Sequence, residues 1–268
     1  MRHVRAVPFV VLALAFVIAV AYLDAVPTLS TGLRNAYEDI SYKLAPSAEK
    51  AFKYGERHFD SRHPAAYDIN RAEYFFERAA AEDPTIPYLY HEFARISFLK
   101  KNFKRALGQI NFQIGMHGKS ARNSFYVRGL IEGYMGRYEE AARDFKVFLE
   151  AYPRNWAAVN DYAWVLLKSG RTEEAIEAVR EALKYFPDNP WLLNTYASAL
   201  YEIGDLDTAR FVARSSATAA MHVSENDWLT AYPGNDPAIA RTGLIEFQDS
   251  IRRNMHTILL TASKRGLQ

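Results

Sequence analysis

The hydrophobic pattern divides the chain into unlike parts. Residues 6–23 form one uncharged apolar run, closed by Asp24. At about 1.5 Å per residue such a helix spans most of a ~30 Å hydrocarbon core. At the other end the pattern changes. Leu244, Phe247 or Gln248, Ile251, Met255, Ile258 and Leu259 recur at helical spacing, while Arg252, Arg253 and Gln248 fall on the opposite face. Asp236 reads as the N-cap of this segment and Pro237 as its first helical residue. An amphipathic helix running to Lys264 is therefore predicted, apolar inward and polar outward. Residues 225–232 make at best a short helix before the break at Pro233-Gly234.

Between these ends the chain repeats itself. Ala72, Ala106, Ala141, Ala175 and Ala209 are spaced by 34, 35, 34 and 34 residues. Gly136, Gly170 and Gly204 keep a step of 34, as do Pro153 and Pro187. Three residue types in phase define a structural unit, which has to be identified before any local motif is read. Each unit reads as two helices: the glycine supplies the left-handed residue after the first, and the proline stops the second. Small residues bring the paired helices close, and each pair leaves an apolar face that only the next pair covers.

On these residues the chain resembles the tetratricopeptide repeat family over about residues 48–223. That family places a small residue at position 8, glycine at 15, an aromatic at 17, alanine at 20, an aromatic at 24 and proline at 32. Counted from the alanines, position 8 is Ala94, Gly129, Ala163 and Ala197, with Gly55 in its place in the first unit. Position 24 is Phe76, Ile110, Phe145, Val179 and Ala213. Position 17 is Phe103 and Tyr138, whereas Thr172 and Leu206 depart from the pattern. The resemblance implies an all-α, right-handed superhelical solenoid of about five helix–turn–helix repeats. A C-terminal capping helix would close it and an N-terminal transmembrane helix would precede it. The expected divisions are 1–24 anchor, 25–47 linker with a short helix around residues 35–44, 48–223 repeats and 224–268 capping helices. The first unit carries about five extra residues in its turn, around residues 61–67.

Charge narrows the function classes. The chain has 33 basic and 31 acidic residues, and Arg2 and Arg5 belong to the N-terminal segment. The remainder is formally neutral, 31 against 31, which argues against nucleic acid and against strong attraction to anionic lipid. Arg2 and Arg5 place the N-terminus in the cytoplasm and the chain beyond Asp24 outside it, a single-pass protein of the cytoplasmic membrane. The competing reading is a signal peptide cut near Ala21, releasing the repeats. The absence of cysteine excludes disulfides, thiolate metal sites and an acylated-cysteine anchor.

No chemistry-bearing motif stands out. The seven histidines lack metal-ligand spacing, and no Gly-rich phosphate loop or nucleophile elbow occurs. Glu139-Glu140 and Glu173-Glu174 sit at helix starts, where the helix dipole favours carboxylates. Lys100, Lys101, Lys104 and Arg105 form a basic turn, read as solvated. We expect no enzyme activity, cofactor, metal or small-molecule substrate. The resemblance implies a concave face lined by first-helix positions 2, 5, 9 and 12. Among the residues there, Tyr88, His91, Arg95, Tyr126, Asn160, Trp164, Trp191, Asn194, Ser198 and Tyr201 are the candidate peptide- or protein-binding set. Asn160 and Asn194 would pair with an extended backbone, and the aromatics would anchor side chains. A carboxylate clamp for a C-terminal tail needs several cations, and only Arg95 and His91 offer positive charge. The expected role is a membrane-tethered, non-enzymatic interaction scaffold. The alternative is a permanent subunit of a membrane complex, which predicts exposed apolar surface around residues 228–232.

Overall fold

A computed structural model describes residues 31–231 and 236–265. The apolar run at residues 6–23, and with it the anchor or signal peptide, lies outside them. Among the described residues no helix is long and apolar enough to cross a membrane.

Helix α1 spans Thr31–Leu44. Five hairpins come next: α2 Ala48–His58 with α3 Ile69–Glu82, α4 Leu89–Leu99 with α5 Phe103–His117, α6 Arg122–Tyr134 with α7 Tyr138–Ala151, α8 Trp156–Lys168 with α9 Thr172–Leu183, and α10 Pro190–Glu202 with α11 Leu206–Ala220. A short α12, Glu225–Ala231, precedes the closing helix α13, Ala240–Lys264, which packs mainly on α11. Asp236 caps the entry as its spacing predicts, its side chain accepting from the Ala238 amide at 2.8 Å ahead of a 3-10 turn over Pro237–Ile239. Gln248, which the spacing leaves on either face, donates inward to the Ala220 carbonyl at 2.9 Å. That bond caps one of the last carbonyls of α11.

Helix starts follow their capping chemistry. Asn102, Asn155, Asn189 and Asp205 each accept from a first-turn amide. Helices α7 and α9 begin after Arg137 and Arg171, which provide no side-chain cap. These are the two whose first turns carry Glu139-Glu140 and Glu173-Glu174, so charge against the dipole takes the place of a capping bond.

The interior is organised by one pairing repeated five times. All five alanines at position 20 are fully buried, and the position 24 side chains Phe76, Ile110, Phe145, Val179 and Ala213 are buried with them. Position 8 of the same hairpin is always small, and in two hairpins it is fitted to the ring opposite. Glycine faces phenylalanine twice: a Cβ on Gly129 would lie 2.9 Å from the Phe145 ring, and one on Gly55 would overlap the Phe76 ring. The hairpins holding Ile110, Val179 and Ala213 carry alanine instead, at Ala94, Ala163 and Ala197, all fully buried. A close-packed interior tolerates neither a void nor an overlap of a methyl group, so the two positions are set together.

Helix α1 is longer than the short helix predicted around residues 35–44, and it is fastened by buried charge. Glu38 is fully buried, with its Oε2 2.6 Å from Nε2 of buried His58 and 3.4 Å from Arg71 Nη2. The Oε1 atom lies 3.5 Å from Arg57. His58 Nδ1 donates to the Ala66 carbonyl at 2.8 Å, which holds the lengthened first turn against the same cluster. Removing one member would strand a buried charge, so the cluster fixes where α1 lies.

A second buried carboxyl carries a pH consequence. Glu132 on α6 lies beside Asp144 of α7, which Arg128 grips at 2.5 and 2.8 Å. Burial, and then the charge of Asp144, push the Glu132 carboxyl up to about 7 from an ordinary 4.5. The folded chain thus keeps a proton that the unfolded chain gives up, and stability falls as pH rises from about 4.5 to about 7. Glu132→Gln removes that loss. Thermal unfolding of the variant is expected to show a Tm raised by a few degrees at about pH 8 and unchanged at about pH 4.

Candidate functional site

The first helices of four hairpins, α4, α6, α8 and α10, line a cavity of about 1170 Å³. Thr230 and Ala231 of α12 and Phe247, Ser250 and Ile251 of α13 also line it. Seven of the ten sequence-derived residues meet there: His91, Arg95, Tyr126, Asn160, Trp164, Trp191 and Asn194. Tyr88, Ser198 and Tyr201 do not. Tyr88 caps α4 in a left-handed conformation and sets its ring edge-on to His91.

Hydrogen bonds from one first helix to the next commit much of the polar lining. The Tyr126 hydroxyl donates to Asp161 at 2.8 Å, and Thr195 donates to Asn160 Oδ1 at 2.8 Å. His91 Nδ1 lies 3.1 Å from Ser124 Oγ. Counting His91 as a cation is corrected here: burial, and then the nearby Arg95, press it down to about 3, so it is neutral. Arg95 is itself engaged, bonding Glu92 at 2.6 Å and standing 4.4 Å over the Phe59 ring. A carboxylate clamp has no unengaged cation to build with at this place, since Arg154 also stands over the Tyr185 ring.

The closing helix alters the fifth repeat most. Asn254 donates to Asn194 Oδ1 at 2.8 Å and to Ser198 Oγ at 3.0 Å, and Tyr201 meets Thr261 at 3.3 Å. Trp191 stacks on Phe247 at 4.4 Å and 18°, and the Trp156 ring lies tilted to it at 5.1 Å. Helix α13 therefore meets α10 where a sixth repeat would begin, and it takes the polar groups that the sequence assigned to a ligand. Asn160 and Asn194 share a repeat position, yet Asn160 binds the next repeat and Asn194 the closing helix.

Sequence reasoning found Trp164 at the aromatic end of the cavity but missed Tyr134 beside it. Tyr134 is 64% exposed and lies 6.3 Å from Trp164, itself 36% exposed. The Phe98 ring meets Tyr134 at 5.1 Å and Phe103 at 5.6 Å, and Tyr138 sets its edge against Trp164 at 5.9 Å. Tyr134 falls one residue past groove position 12, so the family pattern alone did not select it. The expected apolar surface around residues 228–232 is also corrected within the described residues. Leu229 is buried, and Trp228 occupies the space left by the missing side chain of Gly243.

Residues 126–190 and 166–216 match family profiles described as tetratricopeptide repeat. No curated protein matches the chain by sequence. Solved structures share the fold. MamA from Desulfovibrio magneticus RS-1, residues 41 to its end, aligns with a TM-score of 0.57 at 14% identity, covering 65% of this chain and 95% of that one. A thermophilic TPR protein of Thermus thermophilus aligns with a TM-score of 0.53 at 16% identity, covering 80% of this chain and 99% of that one. Residues 126–216 thus carry tetratricopeptide repeats, within a fold that is all-helical over the described residues; repeats of this kind are in general non-catalytic and mediate protein–protein interaction.

Gly243 tests the packing at the cavity's end, because any Cβ there overlaps the Trp228 indole. Gly243→Ala is expected to cost about 1–3 kcal/mol of local packing. Limited proteolysis should then cut near α12 faster than in the parent chain, while the central repeats stay resistant.

Proposed function

We propose that the chain is a non-enzymatic scaffold that receives an extended segment of a partner protein in the concave cavity. The observation supporting this is the wall itself: exposed aromatic rings at one end, hydrogen-bonding groups between, and no unengaged cation among Arg95, Arg154 and His91. Such a wall favours apolar anchors with backbone pairing, the combination by which extended peptides gain affinity and a few side chains give specificity. Trp164 carries the apolar contact, and Asn160 stands beside it with its Oδ1 already held by Thr195, fixing the amide at the wall. Asn194, Ser198 and Tyr201 serve the closing helix. The ~1170 Å³ volume suits a few residues of an extended chain more than a whole helix.

We further propose that residues 6–23 tether the repeats to the cytoplasmic membrane, with the cavity on the far side. The apolar length and the flanking Arg2 and Arg5 support this reading. Protease added to the outer face of spheroplasts should degrade the repeats. Cleavage only after the cytoplasm is opened would refute the tethered orientation.

The cavity assignment is checked by crosslinking in native membranes, with the attached protein identified and quantified. A Trp164→Ala/Asn160→Ala double variant should retain the parent fold by circular dichroism and lose about 90% or more of that crosslink, as truncating a hot spot does. Undiminished crosslinking would remove the cavity as the binding site.

A further inference from the structure

The turns joining first and second helices carry a residue with positive φ at the same repeat position in four hairpins. Three are glycine: Gly136, Gly170 and Gly204, with φ of 77°, 74° and 81°. The fourth is Lys101, at φ 58°. A side chain in the left-handed region is strained, and glycine relieves that strain at no packing cost. Lys101 is exposed and forms no ion pair among the described residues, so no contact of the fold accounts for it. Backbone strain of this kind points from an outlier to a role.

Its surroundings supply the role. Phe98, Tyr134 and Trp164, with Phe103 joining the first two, make one continuous row of rings across three hairpins. Each member of the row is followed about one helical turn later by an exposed cation: Phe98 by Lys101, Tyr134 by Arg137 and Trp164 by Lys168. Lys104 stands next to Phe103. None of these four cations pairs with a carboxylate among the described residues. The nearby acids are engaged elsewhere: Glu73 holds Lys100 and Arg105, Glu140 holds Arg143 and Glu174 holds Arg171. Glu139 lies within electrostatic reach of Arg171. The result is a row of touching rings in which each ring is followed within three or four residues by an exposed cation.

We propose that this strip docks an acidic peptide segment bearing aromatic or large aliphatic side chains, which rests on the cavity reading above and adds the ligand's chemistry to it. The rings take the apolar side chains, and Lys101, Lys104, Arg137 and Lys168 face the carboxylates. Alternation in an extended chain puts successive side chains on opposite sides, which separates its apolar groups from its carboxylates. A nucleic acid is disfavoured. Four cations on a nearly neutral chain release few counterions, and the corresponding turn of the last hairpin is acidic at Glu202, Asp205 and Asp207.

The test uses the full-length chain and fluorescein-labelled extended peptides read by anisotropy. One peptide alternates Glu with Phe, a second has Lys for Glu, a third has Ala for Phe, and oligothymidylate serves as competitor. The Glu/Phe peptide should bind about tenfold or more tightly than either control, with affinity falling as salt is raised. Tyr134→Ala should weaken it about tenfold. Lys101→Gly is the decisive variant. It should raise Tm by about 2–4 °C while lowering affinity several-fold, since it removes strain and charge together. A merely structural lysine would give the first effect without the second. The proposal is overturned if the Glu/Phe peptide does not bind, if the Lys/Phe peptide binds equally, or if Lys101→Gly leaves affinity unchanged. Preferential binding of oligothymidylate would replace the peptide with a nucleic acid. A native crosslink that depends on Trp164 and Asn160 but ignores Lys101 and Tyr134 would sink the strip and leave the cavity reading standing.

Discussion

Two helices of a hairpin come close only where neither side chain at the crossing claims the other's space. In this chain that condition sits at repeat positions 8 and 24, and everything larger depends on it. Gly55 and Gly129 leave room for Phe76 and Phe145, while the hairpins of Ile110, Val179 and Ala213 carry the fully buried Ala94, Ala163 and Ala197. A side chain of at most one carbon at position 8 therefore lets the two helices approach in every hairpin. Each closed hairpin leaves a face for the next to cover, because each unit of a solenoid touches only its neighbours. In the two glycine hairpins the pairing expresses volume compensation, so residue identity at position 8 follows the residue opposite.

Stacking then determines which polar groups remain for other uses. The bonds Tyr126 to Asp161 and Thr195 to Asn160 run from one first helix to the next, on the side where the first helices line the cavity. Part of the concave face is consequently spent on joining repeats. The closing helix spends more, because Asn254 and Thr261 reach the groups on α10 that a sixth repeat would otherwise approach. A terminal cap has to satisfy an exposed apolar face, and here it also draws Trp191 into a stack with Phe247. The cavity is open where the cap does not reach, toward Trp164 and Tyr134.

The repeats were legible because a packing rule enforced every 34 residues leaves a trace in residue type. The buried alanines, the three left-handed glycines and the cap at Asp236 all follow from local chemistry. The candidate site was legible only in part. Position numbers brought seven residues to one cavity, but they carried no information on what the chain's own C-terminus would cover. His91 illustrates the limit: a histidine on a groove position reads as exposed, yet its neutrality comes from burial that no linear pattern encodes. Gln248 is similar, since an amide on either face of a helix is plausible until the Ala220 carbonyl is found beside it. Tyr134 was missed for a simpler reason. It comes after the last groove position, where a helix is ending and ring direction depends on Trp164 of the next hairpin.

Departures from the repeat carry different meanings according to whether packing explains them. Glycine in place of alanine at position 8 is explained outright by the phenylalanine opposite. Extra residues in the first turn are explained by the cluster of His58, Ala66 and Glu38, which uses them to seat α1. Lysine in place of glycine at residue 101 belongs to a different class, because the fold would be less strained without it and no neighbour is served by it. Stability arguments therefore end at that residue, and the adjoining rings and cations supply a functional argument where they end. Within a scaffold whose structural positions are so tightly accounted for, a strained and exposed side chain is where selection for binding is most readily separated from selection for folding.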